Sequence, residues 1–234
     1  MKNQFDIDVT LNGGYLYSET GKLSSQMANE RLTKAVFDTV SLAGKVVLDV
    51  GCGDGAYTYR YLTKSKPKQI IGFDISNEAI KAAQKKYTGI KNVVFYSGDI
   101  YNLEQKHTKA DIAIVRGVLH HVSDPSAAIQ AVSKMADEIL IIEPNGYNPI
   151  LKVIEKISPY HRAHAEKSYF PFSLRKMMRN AGYKKDISWS YINLVPFFFP
   201  ELPARFFKKL EPFIEKIPFL SRIACGVFVV HAKK

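Results

Sequence analysis

The fold is decided by the stretch Val46-Val47-Leu48-Asp49-Val50-Gly51-Cys52-Gly53-Asp54-Gly55. Its first half is a continuous aliphatic run, which is typical of a central strand in a parallel sheet. Its second half is a glycine-rich turn, where the missing Cβ atoms let the backbone turn sharply and approach a ligand. Residues 56–62 can then start a helix whose free N–H groups point at the same place. The stretch therefore predicts a nucleotide-type cofactor site at a strand–turn–helix junction.

The spacing of the glycines indicates which cofactor binds there. A dinucleotide-binding loop reads G-x-G-x-x-G, which disfavours an NAD-dependent oxidoreductase, because the glycines here fall as G-x-G-x-G. Asp49 stands two residues before the first glycine. The resulting D-x-G-x-G-x-G pattern resembles the first motif of the class I S-adenosylmethionine-dependent methyltransferases. The resemblance implies S-adenosyl-L-methionine as cofactor and S-adenosyl-L-homocysteine as product. The cofactor-binding residues that it implies in this turn are Asp49, Gly51, Cys52, Gly53 and Gly55.

Two further strand ends carry acids at suitable positions. Asp74 ends a second strand, 19 residues after Gly55, close to the spacing of about 20 residues at which an acid reaches a ribose. Ile75 follows it and can pack on the adenine ring. A third strand over 93–96 leads to Asp99 and Ile100. The resemblance implies that Asp99 accepts a hydrogen bond from the adenine amino group, beside a backbone N–H that reaches the ring. The alternative that Asp99 caps a short helix stays open.

The fourth strand, over 111–115, leads to the candidate catalytic residues. The Leu119-His120-His121 sequence after it resembles the branch of the family that acts in ubiquinone and menaquinone biosynthesis. In this family the carbonyl at the end of the strand holds the methionine amino group, a role that falls to Arg116 or Gly117. His120 and His121 are candidate bases because an imidazole titrates near neutral pH. The alternative is that one histidine packs in the core and the other binds backbone.

The order of the elements predicts the architecture. Five strand signals alternate with helices, which favours a doubly wound, mostly parallel α/β sheet. With further strands near 186–192 and over 225–231, we predict a seven-stranded, Rossmann-like class I methyltransferase fold. Its last strand is antiparallel, as in the resembled fold, and helical insertions follow strands 5 and 6. We predict one domain over 1–234, made of an N-terminal lid and helix (1–42), a cofactor-binding core (43–145) and two substrate-side insertions (145–172 and 193–222).

Two segments outside the core carry more specific predictions. In the resembled family, segments before the first strand often close over the cofactor, so Tyr17 is a candidate cofactor contact. The alternative is a packed surface aromatic. Ser24 and Ser25 are predicted to cap a helix that runs through Leu42. Ser173 is predicted to cap a second, basic helix.

Composition bounds the location and the partners. The 234 residues carry a formal net charge of +11, which indicates an anionic partner or an anionic surface. The alternative is that the lysines only keep the surface soluble. Residues 152–185 contain nine lysines and arginines against two acids, a net charge of +7. Only two cysteines are present, so no disulfide framework is predicted and a reducing compartment is favoured. A polar N-terminus and the lack of a long apolar run predict a cytoplasmic protein.

The insertions suggest the acceptor. The basic insertion suits a phosphate, a carboxylate or a lipid head group. It also holds His164, a third candidate catalytic residue. His161, His164 and Glu166 are too few ligands to predict a metal site. Phe197–Phe199 and an amphipathic helix from about Ala204 to Lys216 suit an apolar pocket or a peripheral membrane contact through 197–220. The alternative is that this helix simply covers the sheet edge.

Together these features favour methyl transfer to O, N or C of a small-molecule or lipid-like acceptor that is hydrophobic, anionic or both. They disfavour nucleic acid, because the aromatic residues do not alternate with the basic ones as in a stacking surface. The sequence also lacks the Asn/Asp-Pro-Pro-aromatic motif of the amino-methylating nucleic acid enzymes. Two alternatives stay open: an RNA methyltransferase that uses the basic 152–185 region, and a cofactor-binding partner module without activity.

Overall fold

Seven strands and eight α-helices make up the part of the chain that the computed structural model describes, residues 21–105, 109–158 and 167–234. The strands are β1 (Val46–Val50), β2 (Gln69–Asp74), β3 (Val93–Ser97), β4 (Ala110–Arg116), β5 (Ala136–Pro144), β6 (Lys185–Ile192) and β7 (Val227–Lys233). The helices are α1 (Leu23–Thr39), α2 (Ala56–Ser65), α3 (Asn77–Lys86), α4 (Pro125–Met135), α5 (Pro149–Ile157), α6 (Pro171–Asn180), α7 (Glu201–Ile214) and α8 (Pro218–Ala224). Short 3-10 turns cover Ile100–Gln105 and Leu119–His121.

The strands form one sheet in the order β3-β2-β1-β4-β5-β7-β6. Strands β1 to β5 are parallel, and β7 runs antiparallel to both β5 and β6. The predicted seven-stranded fold with an antiparallel last strand is therefore confirmed. Since β1 to β5 all end at one side of the sheet, we call that side the carboxyl edge. The end of β6 and the start of β7 lie at the same edge, because Ile192 and Pro144 are both paired with Val227.

Each face of the sheet is covered by a separate hydrophobic core. Alternate residues of β1 point to opposite sides, so Val47 packs with α1, α2 and α3, whereas Leu48 packs with α4 and α6. Tyr61 of α2 is fully buried on the first side, and Tyr183 on the second. This three-layer arrangement holds the sheet rigidly and leaves the loops at the carboxyl edge to form a site.

Two predicted helix starts are wrong. Helix α1 begins at Leu23 and ends at Thr39, so Ser24 and Ser25 lie inside it, and the Ser24 hydroxyl donates to the carbonyl of Phe197 (2.9 Å). Helix α6 begins at Pro171, two residues before the predicted cap, Ser173. Proline is well placed at a first helical position, because its fixed φ suits the helix and its missing N–H would have no partner there.

Helix α7 packs against the protein with a mixed face, on which Ala204 and Glu211 are buried. Phe206 and Phe213 are 60% and 68% exposed, whereas Glu211 is buried. One Glu211 oxygen accepts from the N–H of Leu194 (3.0 Å), and Arg31 of α1 pairs with Glu215 (2.7 Å). The alternative that this helix simply covers the sheet edge stays open. The peripheral membrane contact through 197–220 stays a prediction.

None of the helices in the described ranges has the length and apolar character that a transmembrane span requires. The division into a lid, a core and two insertions within one domain stays a prediction.

Candidate functional site

The glycine-rich turn joins β1 to α2 at the carboxyl edge. Gly51 has φ +76° and Gly55 has φ +79°, a region that other residues rarely adopt. A Cβ on Gly51 would come within 2.2 Å of Cγ2 of Val118, and one on Gly55 within 2.7 Å of the Phe95 ring. Both positions therefore require glycine for their backbone conformation and for their close contacts.

Asp74 ties the glycine-rich turn to the end of β2. One of its oxygens accepts from the N–H of Gly53 (2.8 Å) and the other from the N–H of Ser76 (2.9 Å). A carboxylate oxygen has more than one acceptor position, so this geometry is compatible with a further hydrogen bond to a ribose. The ribose contact stays a prediction, but the structural role of Asp74 was not predicted.

Asp49 is buried beneath the turn. Its Oδ2 accepts from the hydroxyl of Thr58 (2.6 Å). Burial raises the pKa of Asp49 to about 6, although the Thr58 hydrogen bond and the positive charge of Arg116 oppose the shift. The raised pKa shows that the buried site destabilises the charged form relative to water.

This raised pKa predicts a pH dependence of stability. Because the folded state binds a proton more tightly than the unfolded state (a pKa of about 6 against 3.8), stability should fall as the pH rises through this window. The contribution of Asp49 is about 2–3 kcal/mol. We expect Asp49→Asn, whose amide oxygen can still accept from Thr58, to show a correspondingly smaller loss of stability over the same window. Urea unfolding at several pH values measures this, and equal pH dependence in both proteins would contradict it.

Arg116, at the end of β4, holds α1 and α2 beside the turn. Its guanidinium donates to Oγ1 of Thr33 (3.0 Å) and Oδ1 of Asn29 (2.9 Å), both on α1. It also lies 3.8 Å from the centroid of the Tyr57 ring on α2. Thus the side chain has a structural role that was not predicted. The cofactor contact through its main chain stays a prediction.

The other predicted cofactor residues lie at the same edge. Ile75 is 45% exposed after β2, and Asp99 accepts from the N–H of Tyr101 (3.0 Å), as a helix cap would. Ile100 is buried. Cys52 is buried as well, and burial, reinforced by the charge of Asp74, raises the pKa of its thiol well above the usual value. Tyr17 and His164 lie outside the described residues.

Glu143, at the end of β5, orients the first candidate base. Its Oε2 lies 2.7 Å from Nδ1 of His120, and its Oε1 accepts from the N–H groups of Val118 (2.8 Å) and Leu119 (2.7 Å). The Glu143 side chain has no exposed surface. Because the carboxylate accepts at Nδ1, a neutral His120 carries its proton there and its lone pair on Nε2. The ring centroids of His120 and His121 lie 3.9 Å apart.

Glu143 and Asn145 were predicted to overlook the ligand crevice from the end of the fifth strand, but no catalytic role was predicted for Glu143. The signal was nevertheless present, because an acid at the end of a parallel strand is what singled out Asp74. We call His120 and Glu143 the histidine–carboxylate pair. The same arrangement orients general bases in other enzymes, so the geometry can support proton removal at the carboxyl edge. The catalytic roles of His120 and His121 stay predictions.

The described residues of the basic stretch, 152–158 and 167–185, do not form one continuous surface. Lys152 and Lys167 lie near the carboxyl edge, because residues 145 and 169 are joined by a bridge there. Lys185 starts β6, which runs in the same direction as β5, so it lies at the opposite edge. An anionic ligand at the carboxyl edge can therefore contact only part of the predicted positive charge.

Comparison with known proteins indicates the family and the fold. A family model described as a methyltransferase domain matches residues 41–182, more than half of the chain. Two solved structures illustrate the shared fold. The complex of a methyltransferase with the Haloferax volcanii Trm112 methyltransferase activator has a TM-score of 0.71 at 15% identity, covering 100% of this chain and 98% of that one. Magnesium protoporphyrin IX methyltransferase from Synechocystis, with bound S-adenosylhomocysteine, has a TM-score of 0.66 at 18% identity, covering 99% and 95%.

Curated relatives match a shorter region. The tRNA U34 carboxymethyltransferase of Sulfurovum sp. (strain NBC37-1) is 38% identical over 96 residues, which cover 40% of this chain and 31% of the relative. The enzyme of the same name from Helicobacter pylori (strain P12) is 28% identical over 115 residues, covering 47% and 44%. The chain thus matches less than half the length of these relatives.

These relatives correct the predicted acceptor. The prediction of a small-molecule or lipid-like acceptor is wrong, and so is the prediction that nucleic acid is not a partner, since the relatives are named for an action on tRNA. The predicted acceptor depended on a basic insertion and a Phe-rich helix. A basic surface attracts a phosphate polyanion as readily as a small anion, so composition alone could not separate the two.

Proposed function

The chain belongs to the methyltransferase domain family, and on this basis we propose that it transfers a methyl group from S-adenosylmethionine to RNA, with tRNA as the substrate. The observation that carries this proposal is the 38% identity to a tRNA-modifying enzyme over 96 residues. The family match confirms the predicted enzyme class, an S-adenosylmethionine-dependent methyltransferase. The predicted cofactor is confirmed by the same match, and structural neighbours contain it or its product.

The described residues fit this cofactor. The turn requires glycine at positions 51 and 55, where a Cβ would collide with Val118 and Phe95, and it leads into the N-terminus of α2 at the carboxyl edge. Asp74 can accept from the ribose, Ile75 can pack on the adenine and Asp99 can accept from the adenine amino group. The finer resemblance to the ubiquinone and menaquinone branch depends on Leu119-His120-His121 alone and stays a prediction.

When bound, S-adenosylmethionine supplies an already activated methyl group, so the protein mainly has to position the acceptor. A base is needed only where the acceptor atom carries a proton that it does not lose unaided. We propose that His120 removes this proton at Nε2, while Glu143 holds the ring by Nδ1 and stabilises the imidazolium that forms. The buried carboxylate already accepts two backbone N–H groups, so its position is fixed before the acceptor binds.

RNA binding predicts a strong dependence on salt. The proposal needs cations at the carboxyl edge, and Lys152, Lys156, Lys167 and Arg222 belong to segments that meet there. If these four contact phosphates, a fourfold rise in salt should weaken tRNA binding by about a hundredfold, because bound counterions are released on binding. Filter binding of total tRNA over a salt series measures the slope.

The matching activity assay uses labelled S-adenosylmethionine and total tRNA. Mass spectrometry of the resulting nucleosides identifies the modified base and the transferred group. The Asp74→Ala variant serves as a control, because it should lose transfer through weaker cofactor binding while it still binds tRNA. Binding that does not depend on salt, or the lack of any transfer to RNA, would contradict the proposed function.

A further inference from the structure

Two buried asparagines join two distant chain segments at the carboxyl edge. The side-chain amide of Asn145 donates to the carbonyls of Arg222 (2.8 Å) and Cys225 (2.9 Å). That of Asn148 donates to the carbonyl of Ala224 (3.0 Å) and also reaches Cys225 (3.3 Å). These bonds fasten the end of β5 to the end of α8. Buried amides that satisfy several backbone carbonyls hold such segments in one arrangement.

A third segment, around Phe170, is fastened to the same place. Gly146 donates from its N–H to the carbonyl of Tyr169 (3.0 Å), and a Cβ on Gly146 would lie 2.6 Å from that carbonyl. Lys152 of α5 donates to the carbonyl of Ser168 (2.8 Å). Each of the three segments therefore reaches this point in a fixed position, although they are far apart in sequence.

Aromatic and cationic side chains from these segments form one group. The guanidinium of Arg222 lies 4.0 Å from the centroid of the Tyr147 ring, and the ring centroids of Tyr147 and Phe170 are 5.4 Å apart. Lys152 Nζ lies 5.4 Å from the centroid of Phe170. We call Tyr147, Lys152, Phe170 and Arg222 the aromatic–cation cluster.

The aromatic–cation cluster is open to solvent. Phe170 is 50% exposed, and Arg222 is exposed as well. Within residues 21–105, 109–158 and 167–234, no carboxylate lies at ion-pair distance from Arg222. The sequence predicts no stacking surface in which aromatic and basic residues alternate. That prediction is wrong here, because the fold brings such residues together from distant positions.

The cluster adjoins the histidine–carboxylate pair. Tyr169, the residue before Phe170, is bridged to Asn145, and Asn145 follows β5 two residues after Glu143. Burial raises the pKa of the Tyr169 phenol, and the charge of Glu143 adds to the effect, as expected for close groups. A nucleotide held at the cluster would therefore lie next to the base that we propose for catalysis.

We propose that the aromatic–cation cluster binds an unpaired nucleotide of the RNA substrate beside the nucleotide that is methylated. A base stacks on the exposed ring of Phe170, and Arg222 contacts a neighbouring phosphate. Unpaired bases in RNA loops are recognised in this way, by aromatic and guanidinium planes with cations at the backbone. The proposal depends on the proposed function, since it names how the same site holds RNA.

Four variants test the cluster. Phe170→Leu removes the ring but keeps an apolar side chain, and Phe170→Tyr keeps a ring. Arg222→Gln removes the charge. Phe213→Leu is the matched control, because Phe213 is a phenylalanine on the outer side of α7 that is more exposed than Phe170 (68% against 50%). Fluorescence anisotropy with a labelled, unstructured RNA oligonucleotide and filter binding with total tRNA measure affinity across a salt series.

The expected results separate stacking from charge. Phe170→Leu should weaken binding by about tenfold or more without changing the salt dependence, and Phe170→Tyr should restore it. Arg222→Gln should reduce the slope of the logarithm of the binding constant against the logarithm of the salt concentration by about one, because one phosphate contact is lost. Phe213→Leu should bind like the wild type, and calorimetry should show unchanged S-adenosylmethionine affinity in Phe170→Leu.

The outcomes also separate this proposal from the proposed function. If the wild type modifies tRNA but Phe170→Leu binds as tightly, the cluster proposal fails alone. An equal loss in Phe213→Leu would overturn it too, since the effect would not be specific to the cluster. If the wild type binds no RNA, the proposed function fails and the cluster proposal with it.

Discussion

Replacement of Glu143 by glutamine is expected to slow methyl transfer by about a hundred- to ten-thousandfold while the protein stays folded. The amide oxygen can still accept from the N–H groups of Val118 and Leu119. The amide nitrogen, however, then faces Nδ1 of His120 as a donor. The imidazole must accept at Nδ1 and carry its proton on Nε2, which is the wrong tautomer for a base. The loss should therefore fall on the rate of transfer and leave cofactor binding nearly unchanged.

Single-turnover rates with saturating S-adenosylmethionine and total tRNA measure this effect. Glu138→Gln is the matched control, because Glu138 lies on the same strand at its other end, where it pairs with Lys45 (3.0 Å). We expect this control to transfer methyl groups at nearly the wild-type rate. A Glu143→Gln enzyme as fast as the control would show that His120 is not the base or that the acceptor needs none.

Replacement of Gly51 by alanine is expected to lower the free energy of unfolding by about 2–5 kcal/mol. Of this, roughly 1–2 kcal/mol comes from the left-handed backbone conformation and about 1–3 kcal/mol from the close contact with Val118. The N–H of Val118 donates to Glu143, so any movement that relieves the contact also disturbs the histidine–carboxylate pair. Cofactor affinity and transfer rate should fall together with stability.

Gly44→Ala separates the two causes. Gly44 has φ +71° but no atom within 4 Å of an added Cβ, so it should lose only the backbone contribution. Adding Val118→Ala to Gly51→Ala should recover part of the packing cost, and the coupling follows from a double-mutant cycle in urea unfolding. If Gly51→Ala and Gly44→Ala lose the same free energy of unfolding, the contact with Val118 does not contribute to the loss.

The sheet and the glycine-rich turn could be predicted because their signals are local. The period of the apolar residues and the G-x-G-x-G spacing can be read within one stretch of chain. Asp74 and Asp99 can be read in the same way, because each directly ends or closely follows its own strand. Ile75 and Arg116 were placed at the correct edge for the same reason. Their contacts could not be predicted, because the Arg116 side chain binds Asn29 and Thr33 on a helix far earlier in the sequence.

Several features that sequence patterns missed depend on where distant segments meet. Tyr147 and Arg222 form a contact only because two asparagines join the ends of β5 and α8. The pattern of α7 shows two faces but does not say which one points inward. The buried Glu211, which accepts from the N–H of Leu194, points inward. In the sequence, a buried glutamate of a helix cannot be distinguished from one exposed to solvent.

The orientation of α7 gives this part of the fold an unusual temperature dependence. Apolar contacts weaken on cooling, since burial of apolar surface carries a large heat-capacity change. The attachment of helix α7 includes the Arg31–Glu215 pair and backbone donors to Glu211 and Glu215, and these polar contacts lack that dependence. On cooling, the two hydrophobic cores therefore weaken while these polar contacts do not, so a larger share of the stability at α7 comes from polar contacts in the cold.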